Sequence, residues 1–137
     1  APFDRARALW LEEYADTELA ARIGFGIWRT VVVGPLGGQD PDEETARATV
    51  RDKLPRAFAY LESVLTSPAA LVGDRIGLAD LSVAAQLAGF RHGGFRIDAG
   101  RFPKLAAWLE AMLARESLAR LLAEDRELLG RYSRIDA

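Results

Sequence analysis

The apolar positions of this 137-residue chain recur at helical spacing almost throughout, and the pattern predicts about five helices. The first is expected from about Phe3 to about Val32. Leu11, Ala15, Leu19, Ile23 and Ile27 form an i+4 series on one face, and a second series, Trp10, Tyr14, Ala21, Phe25 and Trp28, runs beside it. Pro2 and Asp4 suit its start. Gly24 and Gly26 interrupt it. Each costs about 1 kcal/mol relative to Ala inside a helix, and the pair permits a bend or a close approach by a neighbour or ligand. Residues 34–39 read as a loop. Asp40 is expected to cap the second helix, with Pro41 at its first position and Glu43 completing a capping box. Its stripe includes Val50, Leu54, Ala57, Phe58 and Leu61, and Pro55 within that stripe predicts a kink near residues 51–54.

After a connection from Thr66 to Arg75 comes a third helix, 78–90, apolar nearly all round. Its only charge is Asp80, which predicts a buried central element. Its start is specified residue by residue. Gly77 sits where an N-cap belongs, Asp80 is placed to accept the Gly77 N–H, and Ile76 and Leu81 are placed for a hydrophobic staple. A buried carboxylate is costly unless hydrogen-bonded, and the cap supplies a partner, so Asp80 reads as structural rather than catalytic. Arg91 to Arg96 reads as a loop with Gly93-Gly94 as the stop. A fourth helix begins near Pro103 and carries Leu105, Trp108, Leu109, Met112 and Leu113. Ser117 is expected to cap a fifth, and 131–137 reads as a frayed end. The strand-like run Thr30-Val31-Val32-Val33 is too short to found a sheet, so the expected class is all-α, one domain over 1–137.

Composition narrows the chemistry. Half of the residues are hydrophobic and the net charge is -2, which allows a sizeable core and argues against a nucleic-acid partner. With no Cys and one His, a disulfide frame, a thiolate metal site and a His-based metal cluster are excluded. No apolar run is read as approaching the ~20 residues of a membrane span, and no signal pattern opens the chain, so the expectation is no membrane and a cytoplasmic setting. No catalytic constellation stands out. Glu12, Glu13, Asp16 and Glu18 read as a solvated face. The aromatic series on the first helix reads either as core or as a ligand cleft. His92 reads as an exposed loop histidine. The cluster Arg91, His92, Arg96 and Arg101 could meet an anion, although the overall charge disfavours a large polyanion.

The segment LVGDRIGLADLSVAA, followed by FPKLAAWLEAMLARESLARLL, resembles the all-helical C-terminal domain of bacterial-type cytosolic glutathione transferases. The resemblance covers most of the chain. Gly77 departs from the Ser or Thr usual at that cap, at a cost of only a few tenths of a kcal/mol. The resemblance implies a helical bundle that supplies the hydrophobic co-substrate pocket and homodimer contacts for conjugating glutathione to electrophiles, a detoxification chemistry. Tyr14 would lie nearer the thiol peptide, and Phe25 and Trp28 would line the pocket for a small hydrophobic electrophile. Glutathione enters as co-substrate, and no other cofactor is implied. Some bacterial members place a His-Lys pair after a Thr-Glu-Leu; here Thr17-Glu18-Leu19 is followed by Ala20-Ala21, so those contacts do not carry over. The family's thiol-activating Tyr, Ser or Cys belongs to a thioredoxin-like N-terminal domain, whose βαβ pattern is absent from these residues. The chain is therefore expected to be a fragment of a longer protein, inactive by itself. The alternative is a non-catalytic protein–protein interaction module of the same fold. A third reading is an unrelated ligand-binding helical bundle.

Overall fold

A computed structural model describes residues 1–65 and 67–132. Among the described residues there are five continuous helices and no strand: α1 (Pro2–Leu36), α2 (43–64), α3 (Leu78–His92), α4 (Pro103–Leu113) and α5 (Glu116–Tyr132). The α3 helix is the centre. It packs against α1 on one side and α4 on another, and Val83, Ala84, Leu87 and Phe90 are buried in it.

The i+4 series of α1 is the buried face. Leu11, Ala15, Leu19, Ile23 and Ile27 are all buried, and Val31 continues the run. A regular α-helix turns by about 100° per residue, so residues four apart overshoot one another by about 40°. Repeated over five steps, that drift would carry the stripe off the core. The helix answers with π-helical turns at Ala15–Leu19 and Gly24–Val33, which widen the spiral and keep the stripe on α3. One boundary differs from expectation. The helix runs past residue 33 to Leu36, through Gly34-Pro35. A residue before Pro normally avoids the helical region because its Cβ clashes with the proline ring, and Gly34, with no Cβ, stays helical there. The chain then turns at Gly38, whose φ of 84° favours glycine. Hydropathy also needs revision: within Pro2–Leu36 an 18-residue window reaches a mean hydropathy of 1.2, long and apolar enough by composition to cross a bilayer. A third of that window is buried, and the stripe on α3 accounts for that part.

The α2 helix is capped by Asp42 rather than Asp40: its side chain accepts the Thr45 N–H at 3.0 Å and its position lets Glu43 open the helix. That hydrogen bond holds the Asp42 carboxyl below its ordinary pKa. Pro55 disturbs the helix where expected, but as a π-helical turn over Thr49–Lys53. Of Gly24 and Gly26, Gly26 is the close approach. A Cβ there would overlap the side chain of the fully buried Thr49 of α2, whereas nothing lies within 4 Å of one at Gly24.

The α4 helix has no side-chain cap of its own. Glu62 of α2 supplies one across space, accepting the N–H groups of Lys104 (3.1 Å) and Leu105 (2.7 Å). Rings from three elements fill the space behind: Phe58 meets Phe90 at 5.5 Å and Phe102 at 5.7 Å, both edge-on. The α5 helix starts at Glu116, one residue before the expected cap Ser117. The reading of 131–137 as frayed is replaced by helix as far as Tyr132; residues 133–137, and Thr66 at the start of the α2–α3 connection, lie outside the described residues.

Candidate functional site

The start of α3 is built as read and more heavily bonded than read. Gly77 is extended, and having no side chain it leaves half a capping box: Asp80 Oδ2 accepts the Gly77 N–H at 3.0 Å. The other oxygen accepts two further donors, the Leu71 N–H at 2.9 Å and the indole N–H of Trp108 at 3.0 Å. Asp80 is 1% exposed, so all three bonds are made out of water. One carboxyl group thereby joins the loop before α3, the first turn of α3 and the middle of α4. Ile76 packs against the core, and Leu81 remains half-exposed. The signal for the third partner was present in the sequence, since a buried indole N–H needs an acceptor and Asp80 is the only charge in its stretch.

The three aromatic candidates on α1 are not brought together. Tyr14 leans on α2, its ring 4.8 Å from that of Tyr60, whose hydroxyl accepts the Trp10 indole N–H at 2.7 Å. Burial pushes the Tyr14 phenol above its ordinary pKa; Arg22 opposes this and Glu18 adds to it. At neutral pH Tyr14 is therefore a hydroxyl donor and no base. Trp28 turns to α3, its ring 3.7 Å from where a Gly89 Cβ would stand and edge-on to His92 at 6.0 Å. Phe25 is 68% exposed and borders a cleft of about 310 Å³ with Arg29, Thr30, Gln39 and Asp42. Tyr14 and Trp28 stand about 21 Å apart along the helix axis. Of the four acidic residues read as a solvated face, Glu13, Asp16 and Glu18 are exposed, with Glu18 ion-paired to Arg22, whereas Glu12 is partly buried.

His92 overturns its expected place. The α3 helix extends two residues beyond 90, so Arg91 and His92 lie in its last turn and not in a loop. The His92 side chain is 5% exposed. Burial holds its pKa below the ordinary histidine value; the Asp125 carboxylate pulls upward and Arg126 adds to the lowering. Arg91 and Arg96 both pair with Glu110, and Arg101 lies apart, over the Phe102 ring at 5.1 Å. The expected cluster thus loses Arg101. Around it opens a second, larger groove of about 620 Å³, bordered by α1, α2, the end of α3 and α5. Among the described residues no three His, Cys, Asp or Glu side chains gather as metal ligands.

Two comparisons bear on this arrangement. The family model described as "Glutathione S-transferase, C-terminal domain" matches residues 28–116, from the last turns of α1 to the first residue of α5. Trp28 and the whole Asp80 node fall within the match, while Tyr14 and Phe25 precede it. No curated protein matches the chain.

Proposed function

Because this chain belongs to the glutathione S-transferase C-terminal domain family, we propose that it serves as the helical half of a glutathione-conjugating enzyme. In this reading it gives a small hydrophobic electrophile its binding surface and contributes contacts to a homodimer in the cytoplasm. The reaction joins the glutathione sulfur to an electrophilic carbon. In this reading the thiolate is generated outside this helical unit, which has no cysteine. Its own contribution is positioning and exclusion of water. The observation that carries the reading is Phe25, a large ring left mostly bare beside a cleft on the helix whose opposite face is core. Tyr14 and Trp28, tied to α2 and α3, would hold that helix at the angle the co-substrate meets, with the Tyr14 hydroxyl free to donate toward the thiol peptide.

The test uses the purified chain with glutathione and 1-chloro-2,4-dinitrobenzene. Turnover stays at the uncatalysed rate, and the preformed dinitrophenyl–glutathione conjugate shifts the backbone resonances around Phe25. Phe25→Ala weakens that binding about tenfold, since burying such a ring is worth 1.5–3 kcal/mol when complete. Turnover by the chain would show that thiol activation resides in these residues. A conjugate that binds equally well without the Phe25 ring would remove the site. The half-exposed Leu121 and Leu128 on α5 favour a second reading, a non-catalytic docking module; failure of the conjugate to bind at all would support it.

A further inference from the structure

The α5 helix rests on the bundle lightly. Of its residues 116–130 only Leu122 is buried, with Leu118 and Leu129 partly buried beside it against the core. Arg120 and Glu124 pair within the helix and add nothing to its docking. Two residues, 114 and 115, join it to α4, and the groove of about 620 Å³ runs beside its last turns. An element with so little buried apolar surface opens at a lower free energy than the body it covers.

Beneath its middle lies the one histidine of the chain. The buried His92 side chain meets Asp125 and Arg126 of α5 and the Trp28 ring of α1. The Asp125 carboxylate is 3.4 Å from the His92 Nε2, a long contact, and is itself mostly exposed, so water screens it. Arg126 opposes its pull. The other charges along this seam are answered among themselves, Glu43 with Arg47 on α2, and Arg91 and Arg96 with Glu110 of α4. The enclosure suits a neutral imidazole. An imidazolium there is poorly compensated, and burial accordingly holds the His92 pKa below the ordinary histidine value. Lifting α5 returns the ring to solvent.

We propose that His92 is a pH-sensitive catch for α5: acid protonates the imidazole and releases α5 from the end of α3, while α1 to α4 stay packed. The released state binds the proton more tightly than the docked one, so acid favours release. Each pH unit by which docking lowers proton affinity is worth up to about tenfold in the docking equilibrium. The Phe25 cleft has no lining residue from α5, so the catch and the conjugate site fail independently.

Amide hydrogen exchange of the full chain between pH 7.5 and 5 tests this, with rates expressed as protection factors to remove the intrinsic effect of pH. Protection of the amides of 118–129 is expected to fall about threefold or more on acidification, while the buried turns of α3 and α4 keep theirs. The fall should follow the titration of the His92 ring protons, with the Trp28 indole resonance shifting in step. His92→Gln keeps a polar side chain but takes up no proton, and should hold α5 protection level across the range. Asp125→Asn, at an exposed position, removes the carboxylate that favours the imidazolium and should deepen the fall. Unchanged α5 protection in the wild type would overturn the proposal. So would a rise, which would mean that the Asp125 pair tightens on protonation, an equal loss in every helix, or the same fall in His92→Gln.

Discussion

The two ends of α3 are about 22 Å apart and treat buried polarity in opposite ways. At the first, the Asp80 carboxyl is out of water and accepts three N–H groups from three stretches of chain. At the second, the His92 side chain is 5% exposed and its Nε2 meets only the Asp125 carboxylate at 3.4 Å, the neighbouring Arg91 Nε has no hydrogen-bond partner, and a groove opens beside them. A satisfied buried network fixes a fold. An unsatisfied one costs stability and persists where something else uses it. The start of α3 is thus a folding node, and the end of α3 is surface held ready.

Substitutions can break that contrast. The largest effect is expected for Asp80→Ala, which removes the cap and strands the Leu71 N–H and the Trp108 indole. Cap loss and two orphaned donors together cost about 3–5 kcal/mol in urea unfolding. A loss under about 1 kcal/mol would mean that the node holds nothing. At the other end, Gly93→Ala should cost about 1–3 kcal/mol by overpacking, because its Cβ would overlap Ile27 of α1. A neutral result would show the open end to be loose in its backbone as well as in its side chains. A smaller effect belongs to pH. His92 faces Trp28 from α1 and Asp125 and Arg126 from α5. Its folded pKa lies below the unfolded value of about 6.5, so the unfolded chain takes up its proton first. The His92 contribution is complete above pH ~6.5 and is lost as pH falls through that value. The wild type should therefore lose stability relative to His92→Leu as pH falls from 7 to 5; parallel curves would show that His92 does not titrate in this way.

Much of this fold was legible because the signals were local. The i+4 series Leu11 to Ile27 and the Gly77–Asp80 spacing each lie within a few turns, and each was found buried or bonded as read, whereas the apolar stretch after Gly77 is buried on one side only, with Leu78 and Leu81 half-exposed. The i+4 repeat held a further message, since a spacing of four exceeds the α-helical period and calls for widened turns. Other features depend on residues distant in sequence. Glu62 caps a helix more than forty positions away, which no local pattern announces, and Trp108 finds Asp80 twenty-eight positions away, where the sequence shows the need for an acceptor but not the pairing. His92 was misplaced because Gly93-Gly94 marks a helix end but not whether α5 covers the last turn. Tyr14, Phe25 and Trp28 shared a spacing, yet two sit against different helices and one is bare, because the widened turns of α1 change which side each residue faces.

The central claim is that buried polar groups hold the fold at the start of α3 and do not hold it at the end. Denaturation of two variants at pH 7.5 tests it most directly. Asp80→Asn keeps the shape but turns a donor toward donors, and should lose about 2 kcal/mol; His92→Leu removes an unbonded nitrogen, and should stay within about 0.5 kcal/mol of wild type or gain. A His92→Leu loss as large as that of Asp80→Asn would contradict the account.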